Sequence, residues 1–190
     1  MRKIVFLFVF AISLFSLQRT FAISLKEKKL EEWGFFVGKG KAHLKEKSDY
    51  KIIPIGLRIG FKLESLLPKS LGSKVLLEFV TEPFVSLVSS PDVNFEIGTG
   101  LLLKCGYKFK KIIPFIETGT GFQYTTQHTR EEATQWCFQV QGGAGFYYFF
   151  DDNRAVNFGY RYRHFSNASV KQPNKGVDVH SFYIGFSRFF

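Results

Sequence analysis

Residues 50–63 alternate almost without a break. Ile53, Ile55, Leu57, Ile59 and Phe61 fall on one parity, and Pro54, Gly56, Arg58, Gly60 and Lys62 on the other. A helix turns by about 100° per residue and would scatter this pattern around its surface. A strand has period two and gathers it into one apolar face and one small or charged face. The pattern recurs along the chain. Phe95, Ile97, Leu101 and Leu103 oppose Glu96, Gly98, Gly100 and Lys104. Trp136, Phe138, Val140, Phe146, Tyr148 and Phe150 oppose Gln139, Gln141, Gly143 and Gly145. Marked off by turn residues such as Pro68, Gly72, Pro91, Asp92, Lys110 and Lys111, the alternation predicts eight strands near 33–43, 50–63, 74–87, 93–109, 112–126, 135–150, 155–166 and 177–190.

Most of these strands exceed the usual length in water-soluble proteins. Their apolar face is bulky, and the chain is 18% aromatic, with 24 Phe and 8 Tyr, which suits lipid-facing walls and interfacial belts. The opposite face carries Arg58, Lys62, Glu78, Glu96, Glu117, Arg161 and Arg163. In a soluble sandwich these charges would meet water. In an eight-stranded barrel they fill the interior, where acids and bases pair and glycines relieve crowding. The expected fold is therefore all-β: an eight-stranded antiparallel transmembrane β-barrel of the outer-membrane type, with an exported soluble sandwich as the competing arrangement. Phe190 shares its parity with Phe182, Ile184 and Phe186, and this resembles the closing strand of outer-membrane barrels. Arg188 interrupts the apolar set and is read as snorkelling toward headgroups.

The start of the chain reads as an export signal. Arg2 and Lys3 precede a short apolar stretch over 4–17, and Thr20-Phe21-Ala22 ends in a small residue. The expected organisation is a signal peptide over 1–22 and one barrel domain over 23–190. No later stretch offers eighteen unbroken apolar residues. Residues 24–32 read as a short charged helix across the periplasmic end. Removing Arg2, Lys3 and Arg19 lowers the formal charge from +10 to about +7. Lys26, Lys28, Lys29, Lys39, Lys41, Lys45 and Lys47 interleave with Glu27, Glu31 and Glu32, which favours a solvated end over a lipid-phosphate patch. Export makes nucleic acid an unsuitable partner. Cys105 and Cys137 fall on non-neighbouring strands with opposite facing, so two free thiols are expected. No cluster with metal-ligand spacing appears, and neither a metal nor a cofactor is invoked.

Along 156–166 the outward parity Val156, Phe158, Tyr160 and Tyr162 continues to His164 and Ser166. Along 177–190 the parity of Phe182, Ile184 and Phe186 continues back through His180 to Asp178. His164, Ser166 and Asp178 are the residue types of a serine-hydrolase triad. Singly, each is an ordinary strand-end polar residue. Together on a lipid-exposed face, where charge is costly, they point to a function. His180 is a rival base, ranked lower because it lies on the strand without the nucleophile.

At these residues the chain resembles the lipid A 3-O-deacylase family of eight-stranded outer-membrane esterases. The resemblance is carried by His164-Phe165-Ser166-Asn167-Ala168, then Lys171-Gln172-Pro173-Asn174, Gly176 and the acid at Asp178. It extends more weakly over Gln141-Gly142-Gly143-Ala144-Gly145 and over 114–121. It implies an ester hydrolase that removes the 3-O-linked acyl chain from lipid A in the outer membrane of a Gram-negative bacterium. Ser166 would be nucleophile, His164 general base and Asp178 the orienting acid. Asn174 and the backbone N–H of Ser169 would hold the oxyanion, and Asn167 would support the loop. Phe158, Tyr160, Tyr162 and Phe182 would bed the acyl chain. Partners would be lipopolysaccharide and outer-membrane lipids, with monomer and homodimer both open. The chain departs from the family twice: Asp178 stands where a Glu is expected, and Ser169 where a Gly is expected. The alternatives are a non-catalytic barrel of the adhesin or structural kind, and a barrel phospholipase.

Overall fold

The computed structural model describes residues 30–44, 49–63, 66–72 and 74–190. The expected signal peptide over 1–22 lies outside the described residues. Eight strands form one closed antiparallel barrel: β1 (Leu30–His43), β2 (Asp49–Lys62), β3 (Val75–Ser90), β4 (Asn94–Tyr107), β5 (Ile112–Thr125), β6 (Trp136–Phe149), β7 (Arg154–Ser166) and β8 (Val177–Phe189). Each strand pairs with its sequence neighbour, and β1 closes the ring against β8, with Phe35 opposite Phe186 and Lys41 opposite His180. Closure leaves no unpaired edge, which a hydrocarbon environment requires.

Two expectations change. Residues 30–32 belong to β1 rather than to a helix, and the rest of that stretch lies outside the described residues. A bulge between Leu30 and Glu32 turns Glu32 inward, where pairing with the barrel's own bases outweighs any local helical preference. The 63–74 connection is not a short turn and contains a helical turn, α1 (Lys69–Gly72). It therefore rivals in length the two long connections at the other end of the barrel, 126–135 and 167–176. By contrast, Phe109 and Ile112 exchange backbone hydrogen bonds of 2.9 Å around Lys110 and Lys111, the tight turn expected there.

The outer wall is the aromatic and aliphatic parity. Phe95, Ile97, Phe122, Phe138, Phe146 and Phe182 are all exposed. The inner parity makes a filled core in three storeys. Near the turn end, Lys104 Nζ contacts Glu32 Oε2 at 2.5 Å and Glu78 Oε2 at 3.3 Å, and Ser187 Oγ donates to Glu32 Oε1 at 2.6 Å. In the middle, Arg58 donates to Glu82 at 2.6 Å, while Arg161 bridges Glu82 and Glu117 and Tyr183 donates to Glu117 at 3.0 Å. Toward the loop end, Arg163 pairs with Glu96 at 2.8 Å, and Tyr50 donates to the same carboxylate at 2.6 Å. Desolvating isolated charges would cost several kcal/mol each, so a lumen of this composition is stable only because each ion has partners. Gly159 makes room for this network: a Cβ there would lie 2.7 Å from Tyr183 Cε1. Apolar clusters cap the charged zone, around Phe115, Tyr147 and Phe189 at one end and Ile52, Phe165 and Val179 at the other.

Cys105 is exposed on β4 and Cys137 buried on β6, and both are free thiols.

Candidate active site

The site grows out of the β7–β8 hairpin. Its register places His164 directly opposite Asp178 and Tyr162 opposite His180. Facing side chains on an antiparallel pair lie close enough to bond, and His164 Nδ1 is 2.7 Å from Asp178 Oδ1. A carboxylate can only accept, so Nδ1 carries the hydrogen and Nε2 is left as the free base. Asp178 Oδ1 also accepts from Tyr162 Oη at 2.7 Å. The Asp178 side chain is 57% exposed and that of His164 38%. The pair thus sits on the outside of the barrel, as strand parity requires.

Ser166 ends β7 on the same face, two residues beyond His164, a step of roughly 7 Å between Cα atoms. Among the described residues no hydrogen bond joins Ser166 Oγ to His164. Nucleophile and base in an unliganded site are often farther apart than in the reacting complex. His180 is occupied elsewhere: its Nδ1 lies 2.6 Å from Tyr160 Oη, facing away from Ser166. Phe158, Tyr160, Tyr162 and Phe182 are exposed on the outer wall below the pair, with the Tyr160 and Phe182 rings 5.4 Å apart.

Residues 167–176 fold into a compact loop around Asn167, which is 2% exposed. Asn167 Nδ2 donates to the carbonyls of Lys171 at 2.9 Å and Pro173 at 3.3 Å, and its backbone N–H donates to Asn174 Oδ1 at 2.9 Å. Ala168 and Ser169 both adopt the left-handed region, at φ 53° and 63°. Ser169 therefore occupies a conformation that glycine accepts more readily, at a cost of about 1–2 kcal/mol. Asn174 Nδ2 donates to Ser169 Oγ at 3.0 Å, so the loop brings together the two residues expected to hold an oxyanion, and the serine hydroxyl takes one hydrogen of that amide.

Gly176 closes the loop at φ 73°, with the His164 ring lying across it. A Cβ there would be 2.7 Å from Nε2 and closer still to Cε1. The ring is thus seated on bare backbone.

The β5–β6 loop, 126–135, packs against this one. Lys175 N–H donates to the Glu131 carbonyl, and Ala133 N–H to the Pro173 carbonyl, each at 2.9 Å. Glu132 sits between the loops, 7% exposed. Its Oε2 accepts from Asn167 N–H at 2.9 Å and its Oε1 from Gly176 N–H at 2.6 Å. Burial pushes its carboxyl above the ordinary glutamate value, against the pull of these two donors. Glu132 was not among the candidates read from sequence. Its only local signal is an acid in a polar loop, and its partners are 35 and 44 residues away.

The family model described as lipid A 3-O-deacylase (PagL) matches residues 55–187. Among solved structures, the outer membrane enzyme PagL superposes with a TM-score of 0.62 at 19% identity, covering 79% of this chain and 97% of that one. Neisserial surface protein A (NspA) superposes with a TM-score of 0.60 at 13% identity, over 84% of this chain and 96% of that one. The attachment invasion locus protein Ail of Yersinia pestis gives 0.50 at 10%, over 85% and 100%. At such identities the structures speak for the fold. No curated protein matches the sequence. The family match takes in β3 to β7 whole, most of β2 and β8, and the full stretch from His164 to Asp178. The chain is an outer-membrane β-barrel of a Gram-negative bacterium and belongs to the lipid A 3-O-deacylase family.

Proposed function

We propose that the chain hydrolyses the 3-O-linked acyl ester of lipid A in the outer leaflet, by a Ser-His-Asp mechanism on the lipid-facing side of the barrel. The observation that carries this reading is the 2.7 Å His164–Asp178 pair on the outer wall, one strand step from Ser166. His164 Nε2 takes the proton of Ser166 Oγ as the oxygen attacks the ester carbonyl. Asp178 holds the imidazole in the required tautomer and stabilises the imidazolium, with Tyr162 steadying the carboxylate from the other side. The remaining Asn174 Nδ2 hydrogen and the Ser169 N–H bind the oxyanion, each donor worth about 3 kcal/mol. His164 then gives its proton to the departing sugar oxygen, which leaves as a hydroxyl, and water, deprotonated by the same imidazole, releases the fatty acid from Ser166. Phe158, Tyr160, Tyr162 and Phe182 bed the acyl chain.

Mass spectrometry of lipid A from cells carrying the wild-type chain should show loss of one hydroxyacyl group. Ser166→Ala and His164→Ala should abolish that loss while the barrel still folds. Lipid A profiles that do not differ between wild type and these variants would remove the proposal. One observation favours a second reading, a non-catalytic barrel: Asn174 already spends a hydrogen on Ser169 Oγ. That reading predicts intact lipid A in all three strains.

A further inference from the structure

We infer that Glu132 is a positioning residue for the Ser166–His164 pair, acting from a neighbouring loop by holding both ends of residues 167–176 at once. The inference rests on the serine-esterase reading above. One end of that loop is Asn167, the residue after the nucleophile. The other is Gly176, the floor beneath the His164 ring. A single rigid carboxylate accepts from both, Oε2 from Asn167 N–H at 2.9 Å and Oε1 from Gly176 N–H at 2.6 Å. The spacing between nucleophile and base is therefore set across the hairpin by one planar group.

The two ends do not depend on it equally. Asn167 N–H also donates to Asn174 Oδ1, so it keeps an acceptor if Glu132 is removed. Among the described residues Gly176 N–H has no second acceptor. A half-buried N–H left without an acceptor is costly, so removing the carboxylate lets Gly176 rotate toward another partner. The His164 ring, resting on Gly176, moves with it. The chemistry also asks for an acid here. Two converging N–H groups need two acceptors, which a carboxylate offers and an amide does not: the NH₂ of a glutamine would face one donor with another. The position is nearly enclosed, at 7% exposure, so water is a poor substitute.

The test uses the purified full chain in detergent micelles with lipid A, every rate being normalised to folded barrel by heat-modifiable electrophoretic mobility. Glu132→Ala should lower kcat by roughly 10- to 100-fold, the range expected for a misplacement of about 1 Å, and leave KM within about twofold because the acyl bed is untouched. Labelling of Ser166 by a fluorophosphonate, which needs the Ser–His pair but no lipid, should slow in parallel. Glu132→Gln, which keeps one acceptor, should fall between the two and carries the comparison if Glu132→Ala folds poorly. A kcat within twofold of wild type, a rise in KM alone, or a loss of turnover with unchanged labelling would each overturn the inference. An active Ser166→Ala variant would overturn the esterase reading and this inference with it. An inactive Ser166→Ala beside a fully active Glu132→Ala would overturn this inference alone.

Discussion

Replacing Gly176 by alanine probes the seat of the His164 ring, and its effect follows from two quantities. The residue lies at φ 73°, where an L side chain costs about 1–2 kcal/mol. The added Cβ would also lie 2.7 Å from Nε2, against ordinary contact from 3.4 Å, and would be closer still to Cε1. Backbone strain and overlap act on the same joint, so the ring retreats by about 1 Å. The Nδ1–Asp178 separation of 2.7 Å then approaches the distance at which a hydrogen bond ceases to count as one. Losing both alignment and the orienting acid should lower kcat/KM by roughly 10²-fold. The hairpin register is set by twelve paired positions between β7 and β8 and should survive. The assay is the initial rate of hydroxy fatty acid release from lipid A in micelles, alongside heat-modifiable mobility to confirm the folded barrel. Activity within about threefold of wild type, with the barrel folded, would mean that the ring is not held by that surface.

Two other substitutions probe the loop and the lumen. Ser169→Gly should raise turnover several-fold, because it relieves a left-handed serine worth about 1 kcal/mol and frees the Asn174 amide hydrogen now given to Ser169 Oγ; unchanged or lower turnover in the same assay would show that the hydroxyl itself is needed. Glu82→Ala leaves Arg58 and Arg161 short of a shared partner inside the barrel and should destabilise it by about 3–5 kcal/mol, read as a lower urea midpoint for loss of the folded band.

The strands were legible because period two persists over fourteen-residue elements such as β2, long enough for parity to be unambiguous. The His164–Asp178 pair was legible for a related reason. Both residues lie on one hairpin, so parity and a local register suffice to bring them together. Residue 167 is where that reasoning stops, since parity has no meaning in a loop. The left-handed conformation of Ser169 was visible only indirectly, as a position where the family resemblance expects a glycine. Glu132 was invisible, because its importance lies in two backbone donors contributed by another hairpin. The lumen was legible as composition but not as pairing. Arg58 and Arg161 were each expected inside, yet only barrel closure decides that one glutamate, Glu82, serves both from 24 and 79 residues away. Glu32 was misread as helical for the same reason. Its partner Lys104 is 72 residues distant, and a bulge breaks the local alternation.

The outward placement of the His164–Asp178 pair has a kinetic consequence. With the lumen filled by paired charges and the reacting groups on the convex wall, the proposed substrate arrives by sliding sideways within its own leaflet. Encounter is then two-dimensional. Turnover should follow the mole fraction of lipid A in the bilayer around each barrel and be indifferent to how many additional vesicles share the tube. Diluting lipid A with inert lipid at constant total lipid lowers the rate, whereas adding pure inert vesicles does not.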